Sequence, residues 1–377
     1  MNVIGIVCEY NPFHNGHLYQ INKIKEKYKN SIIIACMSSS FTQRGSISIL
    51  NKYDKTNIAL SHGIDIVIEL PYVYSTQSSD IFAHYAVTLL HQLKIDTLCF
   101  GTESKNLDDI KKNAEIQINN IKFDKKVKEY MDEGVNYPTA LNNALNDLGG
   151  KSITNPNDLL ALSYLKDIIS NNYKIEAFNI KRTNDYHDIE SNDEIVSASN
   201  IRYKLMNNIN IKKLVPSDVY KLLKNKTFND KFFEYLKYKI ISEDNLDKYL
   251  DVDEGLSTRI KDKINESKTL EELIQNIKTK RYTYNKIFRM LNHILCSFTK
   301  EEKEKTRKLE YIRILGFTDK GQKYLNSIKK DMQIPTLNKY DTKYKTLEIE
   351  KRVSEIYSMI YEDIMDKEIK NKPIKKE

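Results

Sequence analysis

The sequence predicts an α/β protein: a doubly wound parallel sheet followed by a mostly α-helical second half. Three observations carry that expectation. Short, unbroken apolar runs alternate with amphipathic stretches of helical spacing up to Leu205. Those runs lack the in–out alternation of a strand exposed on one face, as expected where helices cover a sheet on both sides. Beyond Leu205 helical periodicity takes over and no strand pattern is convincing.

Taken in order, Val3 to Cys8 reads as the first strand, and Leu18, Ile21, Ile24 and Tyr28 recur at helical spacing after it. Ser31 to Met37 is the second strand. A Ser-rich turn and Phe41-Thr42-Gln43-Arg44-Gly45 then lead into a helix that stops near His62-Gly63. Ile64 to Leu70, closed by Pro71, is the third strand; Ile81, Phe82, Tyr85, Ala86, Leu89, Leu90 and Leu93 trace a helix face; Ile95 to Phe100 is the fourth strand. Right-handed βαβ units follow from this order. A polar, helix-like insertion occupies about 104–150. Asn155-Pro156-Asn157-Asp158 opens a helix, with Pro in the first turn and Asp near the positive dipole end. Tyr173 to Lys181 alternates as a fifth strand, with Arg182 at its end, and Val196-Ser197-Ala198-Ser199-Asn200-Ile201-Arg202 opens a further helix. The catalytic region is therefore expected over 1–205, and 206–377 is expected to form a second, helical, basic domain whose charged tail from Lys367 onward frays.

The charge balance of Lys+Arg 60 against Asp+Glu 52, +8 overall with a pI near 8.9, is compatible with a polyanionic partner without demanding one. Between Arg259 and Arg289 nine basic residues face four acids, and Arg281-Tyr282-Thr283-Tyr284 interleaves aromatic and basic groups as an RNA surface would. A solvated helical face would read the same way. Lys280, Arg281 and Arg289 are the RNA-contact candidates. Cys8, Cys36, Cys99 and Cys296 have no C-x-x-C spacing, which predicts a reducing compartment and no metal site. With neither a leader-like segment nor an apolar stretch of ~18 residues, the expectation is a cytoplasmic protein that does not enter membranes.

The chemistry concentrates in Glu9-Tyr10-Asn11-Pro12-Phe13-His14-Asn15-Gly16-His17, between the first strand and the first helix. Two histidines three apart would stand at a helix N-terminus, where free N–H groups and the helix dipole favour an anion. In such sheets ligands bind beyond the carboxyl ends of the strands, an edge that His14, Ser38 to Gln43 and Gly101 would share.

The His-x-Gly-His spacing resembles the signature of the nucleotidylyltransferase superfamily, which implies a Rossmann-like sheet of that type. It also implies that His14 and His17 stabilise charge on the α-phosphate of ATP during in-line displacement. The Ser199–Arg202 segment resembles the superfamily's second motif, Ser-Ser-Thr-x-Ile-Arg, whose hydroxyls and arginine grip the β- and γ-phosphates. Ala198 replaces a serine and Asn200 departs as well, so only Ser199 and Arg202 carry over. From spacing alone, a plain helix cap is the alternative reading of Ser199 and of Asn157.

Together with FTQRG, IDIVIELP, CFGTE, NPNDLLALSYL, Arg182 followed by Asp185-Tyr186-His187-Asp188, ASNIR, and YIRILGF, the EYNPFHNGH stretch is similar to the bacterial tRNA(Met) cytidine acetate ligase family over nearly the whole chain. Ser39, Ser40, Ser46 and Ile47 depart from that family's usual Gly, Asn, Glu and Pro. The resemblance implies activation of acetate by ATP, with Mg²⁺ accompanying the nucleotide, and transfer of acetyl to the wobble cytidine of elongator tRNA(Met) without acetyl-CoA. It maps ATP binding onto Val7, Cys8, Glu9, Tyr10, Asn11, Pro12, Phe13, His14, Asn15, Gly16, His17, Leu18, Tyr19 and Gln20, with Gly101, Asn157 and Arg182. A coenzyme-type nucleotidyltransferase acting on a small phosphorylated substrate would share both motifs, but would leave the basic helical half without a role.

Overall fold

The computed structural model describes residues 1–182, 193–224, 226, 231–253, 255–279, 282–370 and 372–377. Its centre is a sheet of eight strands: β1 (Val3–Cys8), β2 (Ile32–Ser38), β3 (Ile66–Leu70), β4 (Thr97–Thr102), β5 (Glu176–Lys181), β6 (Ile312–Thr318), β7 (Thr336–Leu337) and β8 (Ile374–Lys376). The spatial order is β5-β4-β1-β2-β3-β6-β7, with β8 also on β6. The first five strands are mutually parallel. The chain winds outward through β1, β2 and β3, then crosses back to place β4 on the other side of β1. That reversal opens a crevice beyond the carboxyl ends of β1 and β4, the position where doubly wound sheets bind ligands.

Strand β2 shows why the sheet forms. Ile32, Ile34 and Cys36 enter one core, while Ile33, Ala35 and Met37 enter the core on the opposite face. Alternate residues point to opposite faces, so only an unbroken apolar run satisfies both cores. Helices Ser79–Gln92 and Pro156–Ser170 cover the first face. Asn15–Lys27 and Lys52–Ser61 contribute Ile21, Ile24, Ile58, Ala59 and Leu60 to the second. The insertion folds as three helices, Leu107–Asn119, Phe123–Asp132 and Tyr137–Asp147, around a small core of its own that includes Phe123, Val127 and Ala144.

The second half is mostly helical, but the expectation of no strand beyond Leu205 is corrected. Strand β6 lies antiparallel beside β3, pairing Ile66 with Phe317 and Val67 with Gly316. Its apolar run is broken in sequence by Arg313, which is nevertheless buried, and this disguised it. The tail is not frayed either. Ile374 to Lys376 pair with Gly316 to Thr318, and Glu368 is fully buried. Helices Lys231–Ser242, Leu256–Ile264, Leu270–Ile277 and Tyr284–Leu295 share the core cluster that covers the first face of the sheet.

Candidate active site

The turn after β1 delivers His14 as the N-cap of helix Asn15–Lys27, and His17 sits in its first turn. The two residues form a reciprocal capping arrangement. Gly16 N donates to His14 Nδ1 at 3.0 Å, and His14 N donates to His17 Nδ1 at 3.2 Å. Because each Nδ1 accepts a backbone N–H, the proton of each neutral imidazole sits on Nε2. Burial, then the fields of Arg182 and Arg202, lowers the His14 pKa to about 3. Burial, then His14 and Arg182, pushes His17 well below the usual imidazole value. The site thus holds two neutral N–H donors, their rings 3.8 Å apart, at a helix N-terminus. Gly16 has a steric reason as well: a Cβ there would lie 2.8 Å from the His14 ring.

These groups open onto a cavity of about 300 Å³. Of the nucleotide-site residues expected from sequence, Val7, Cys8, Glu9, Tyr10, Asn11, His14, Gly16, His17, Tyr19, Gln20, Gly101, Asn157, Arg182, Ser199 and Arg202 line it. Pro12, Phe13, Asn15 and Leu18 do not. Phe13 is fully buried among the rings of Tyr10, His17 and His62. Asn15 donates its side-chain amide to the carbonyls of Glu194 and Lys213, tying the loop to the segments around helix Ala198–Met206. Leu18 packs on the second core.

Two ambiguities of the sequence are resolved by the caps. Ser197, not Ser199, caps helix Ala198–Met206, its hydroxyl accepting from Asn200 N at 3.2 Å. Ser199 Oγ instead accepts from Arg202 Nη2 at 3.0 Å, while Arg202 Nη1 donates to Asn11 O at 2.6 Å. The second motif is therefore fastened to the first. Asn157 is likewise no cap. Its N–H and side-chain amide donate to the Glu103 carboxylate, which occupies the N-terminus of helix Pro156–Ser170, and the Asp158 carboxylate in turn accepts from Glu103 N and Ser104 N. Arg182 follows β5, its N–H donating to Thr102 O at 2.8 Å and its side chain crossing Gly101. A Cβ at Gly101 would meet that side chain only at 3.5 Å.

Gln43 was expected on this edge and lines the cavity, but sequence reasoning missed other walls: Arg44 from the turn after β2, and Phe82, Phe100, Leu160 and Tyr164 from the sheet-covering helices and β4. Phe82, Phe100, Leu160 and Tyr164 were visible in the sequence only as core periodicity, and Arg44 only as part of the FTQRG stretch. Of the RNA-contact candidates, Arg289 does not line this cavity. Lys280 and Arg281, like Asp185 to Asp188, lie outside the described residues. Arg289 is half-buried, within electrostatic reach of Asp251.

A model of the HIGH Nucleotidyl Transferase family matches residues 1–372. The tRNA(Met) cytidine acetate ligase of Clostridium tetani is 37% identical over 386 residues, covering 96% of each chain. The chain belongs to this family. The enzyme of the same name from Fusobacterium nucleatum is 41% identical, over 87% of this chain and 85% of its own. Among solved structures, apo Thermotoga maritima TmcAL superposes with a TM-score of 0.90 at 27% identity, covering 100% of this chain and 99% of that one. The crystal structure of the same protein bound with alpha-thio ATP gives 0.86 at 26% identity, with the same coverage. The family assignment agrees with the α/β sheet and with the two histidines at the first helix.

Proposed function

We propose that the protein is an ATP-dependent ligase that activates acetate as acetyl-adenylate and transfers the acetyl group to the wobble cytidine of elongator tRNA(Met). The observation that carries this reading is the pair of closely packed imidazoles at a helix N-terminus, His14 buried and His17 half-buried, each with Nδ1 accepting a backbone N–H, flanked by Arg182 and Arg202 in one cavity. Such a site stabilises charge without supplying a nucleophile, which suits in-line displacement at phosphorus. An acetate oxygen attacks the α-phosphorus, and the bond to the β-phosphate oxygen breaks. Nε2–H of His14 and His17 donates to the α-phosphate oxygens as negative charge grows on them. Pyrophosphate leaves toward Ser199 and Arg202. The cytidine amine then attacks the acetyl carbonyl, losing a proton, and AMP departs to leave N4-acetylcytidine.

Mg²⁺ accompanies ATP on its phosphates, the usual way this ion reaches phosphoryl-transfer sites. Among the described residues no cluster of three or more His, Cys, Asp or Glu is placed to hold a metal. No helix among the described residues is long and apolar enough to cross a membrane, and the working compartment we propose is the cytoplasm. Residues 1–205 carry the adenylation chemistry, and the basic helical half, 206–377, holds the RNA. The acetyl donor is made on the enzyme, without acetyl-CoA. Incubation with ATP, Mg²⁺, acetate and elongator tRNA(Met), followed by nucleoside mass spectrometry, is expected to yield N4-acetylcytidine with AMP and pyrophosphate. Acetylation that requires acetyl-CoA, or none at all, would overturn the reading. A stable dinucleotide product would favour coenzyme-type transfer.

A further inference from the structure

The turn after β2 is built more firmly than a surface connection needs. Phe41 and Ile47 form an antiparallel bridge, Thr42 N donates to Ser46 O at 2.9 Å, and Gly45 N donates to Thr42 O at 3.0 Å. Gln43 N donates to Glu9 Oε1 at 2.6 Å, and its side-chain amide donates to Gln77 O at 2.7 Å. Asn292 Nδ2, from helix Tyr284–Leu295, donates to Gly45 O at 2.8 Å. Gly45 has φ +99°, and a Cβ there would meet Asn292 at 2.8 Å. All these bonds hold one half-buried guanidinium, that of Arg44, in the wall of the nucleotide cavity.

Adenylate formation asks for a cation at that wall. A carboxylate must be brought against a triphosphate, and two anions approach only where positive charge offsets their repulsion and fixes the attacking oxygen. The described cationic residues lining the cavity are Arg44, Lys181, Arg182 and Arg202. Arg202 is committed to Asn11 O and Ser199 at the start of the second-motif helix, on the side assigned to the leaving pyrophosphate. Arg182 crosses Gly101 beyond β4 and β5, and Lys181 is exposed at the end of β5. Arg44 comes from the opposite direction. In the sheet order β5-β4-β1-β2, the histidine turn after β1 stands between the end of β4 and the turn after β2. The Arg44 backbone therefore stands across the histidine turn from the ends of β4 and β5, its guanidinium reaches into the cavity within the fields of Glu9, Glu103 and Arg182, and Phe82 and Tyr164 supply apolar wall for a short alkyl group.

We infer that Arg44 binds the carboxylate of the acyl substrate and positions it for attack on the α-phosphorus; this rests on the reading of the site as an adenylate-forming centre. A guanidinium suits the task because its fork matches a carboxylate with two parallel hydrogen bonds. Arg44 takes no proton in the step: the carboxylate oxygen forms its bond to phosphorus, and pyrophosphate leaves with the electron pair.

The test is acetate-dependent ATP–pyrophosphate exchange by the full-length chain, with acetate and ATP titrated separately. Arg44→Gln is expected to raise the KM for acetate by about 10-fold or more, the scale of a lost charge-assisted bond, and to leave the KM for ATP within about two-fold. Arg44→Lys, which keeps the charge but not the fork, should recover part of the loss; thermal unfolding of both variants at the wild-type temperature shows that the turn is intact. If the wild type exchanges normally and the acetate KM is unaltered in both variants, Arg44 does not bind the carboxylate. If the KM for ATP rises in step with that for acetate, Arg44 is a triphosphate ligand and the inference also fails. Absence of acetate-dependent exchange in the wild type would instead remove the adenylate reading itself.

Discussion

At the scale of single residues, the site depends on keeping two imidazoles neutral. Their lowered pKa values mean that the unfolded chain takes up protons on these groups below the ordinary value of 6.5, while the folded chain resists until about pH 3 at His14. Stability contributed here is therefore present above the unfolded value and falls as pH drops from about 6.5 toward 3. Imidazole C–H resonances of His14 and His17 in the free protein are expected to stay flat from about pH 8 to about pH 5; a titration near 6.5 would contradict the neutral pair. His17→Ala should lower adenylation by ~100-fold, the scale for removing a donor aimed at developing charge. Unchanged pyrophosphate exchange would rule that role out. The spacing of these histidines was legible in the sequence. That Gly16 exists to seat the His14 ring, and that Ser197 rather than Ser199 is the cap, was not, because both depend on where a side chain turns after the backbone is set.

At the scale of elements, the five parallel strands and their helices were legible because each strand must feed two cores and so shows an unbroken apolar run. The turn after β2 was legible as a turn on the ligand edge, but not how it is held, since that depends on hydrogen bonds to Glu9, Gln77 and Asn292, far away in sequence. Strand β6 was hidden by a charge in its middle. Arg313 is only 4% exposed, yet it pairs with Glu69 and Glu368, partners that lie far away in sequence. Gly45→Ala tests the turn: a left-handed φ and a 2.8 Å contact with Asn292 should together cost about 1–3 kcal/mol. Its urea midpoint should fall, and its acetate-dependent exchange should fall with it if the turn presents Arg44. Wild-type stability and exchange would show that the turn tolerates a side chain.

At the scale of the whole molecule, the two halves of the sequence are locked by one buried charge cluster. Lys52 contacts Glu69 at 2.6 Å, Glu350 at 3.3 Å and Glu368 at 2.7 Å, while Arg313 bridges Glu69 and Glu368. Tyr53 OH donates to Glu368, and Tyr72 N donates to Glu350. Helix Lys52–Ser61 and β3 thus meet β6 and the helices Lys345–Ile360 and Met365–Lys370 at a single point. Two cations face three carboxylates, one negative charge too many for a dry interior, and the titrations reflect it. Burial and then Glu69 push Glu350 up to about 7, whereas Lys52 and Arg313 overcome burial at Glu368 and hold it at about 2. A group raised in this way binds a proton on folding between its ordinary value and about 7, so its contribution is complete below the ordinary value and is lost as pH rises through 7. Glu350→Gln removes the surplus charge while keeping an oxygen for Tyr72 N. It should flatten the change in urea midpoint between about pH 6 and about pH 8 relative to wild type. Lys52→Met, which strands the carboxylates without their shared cation, should instead cost about 3–5 kcal/mol at neutral pH. Near wild-type stability in the Lys52 variant would mean that water or relaxation relieves the carboxylates, and that apolar packing around β6 holds the halves together without the ion cluster.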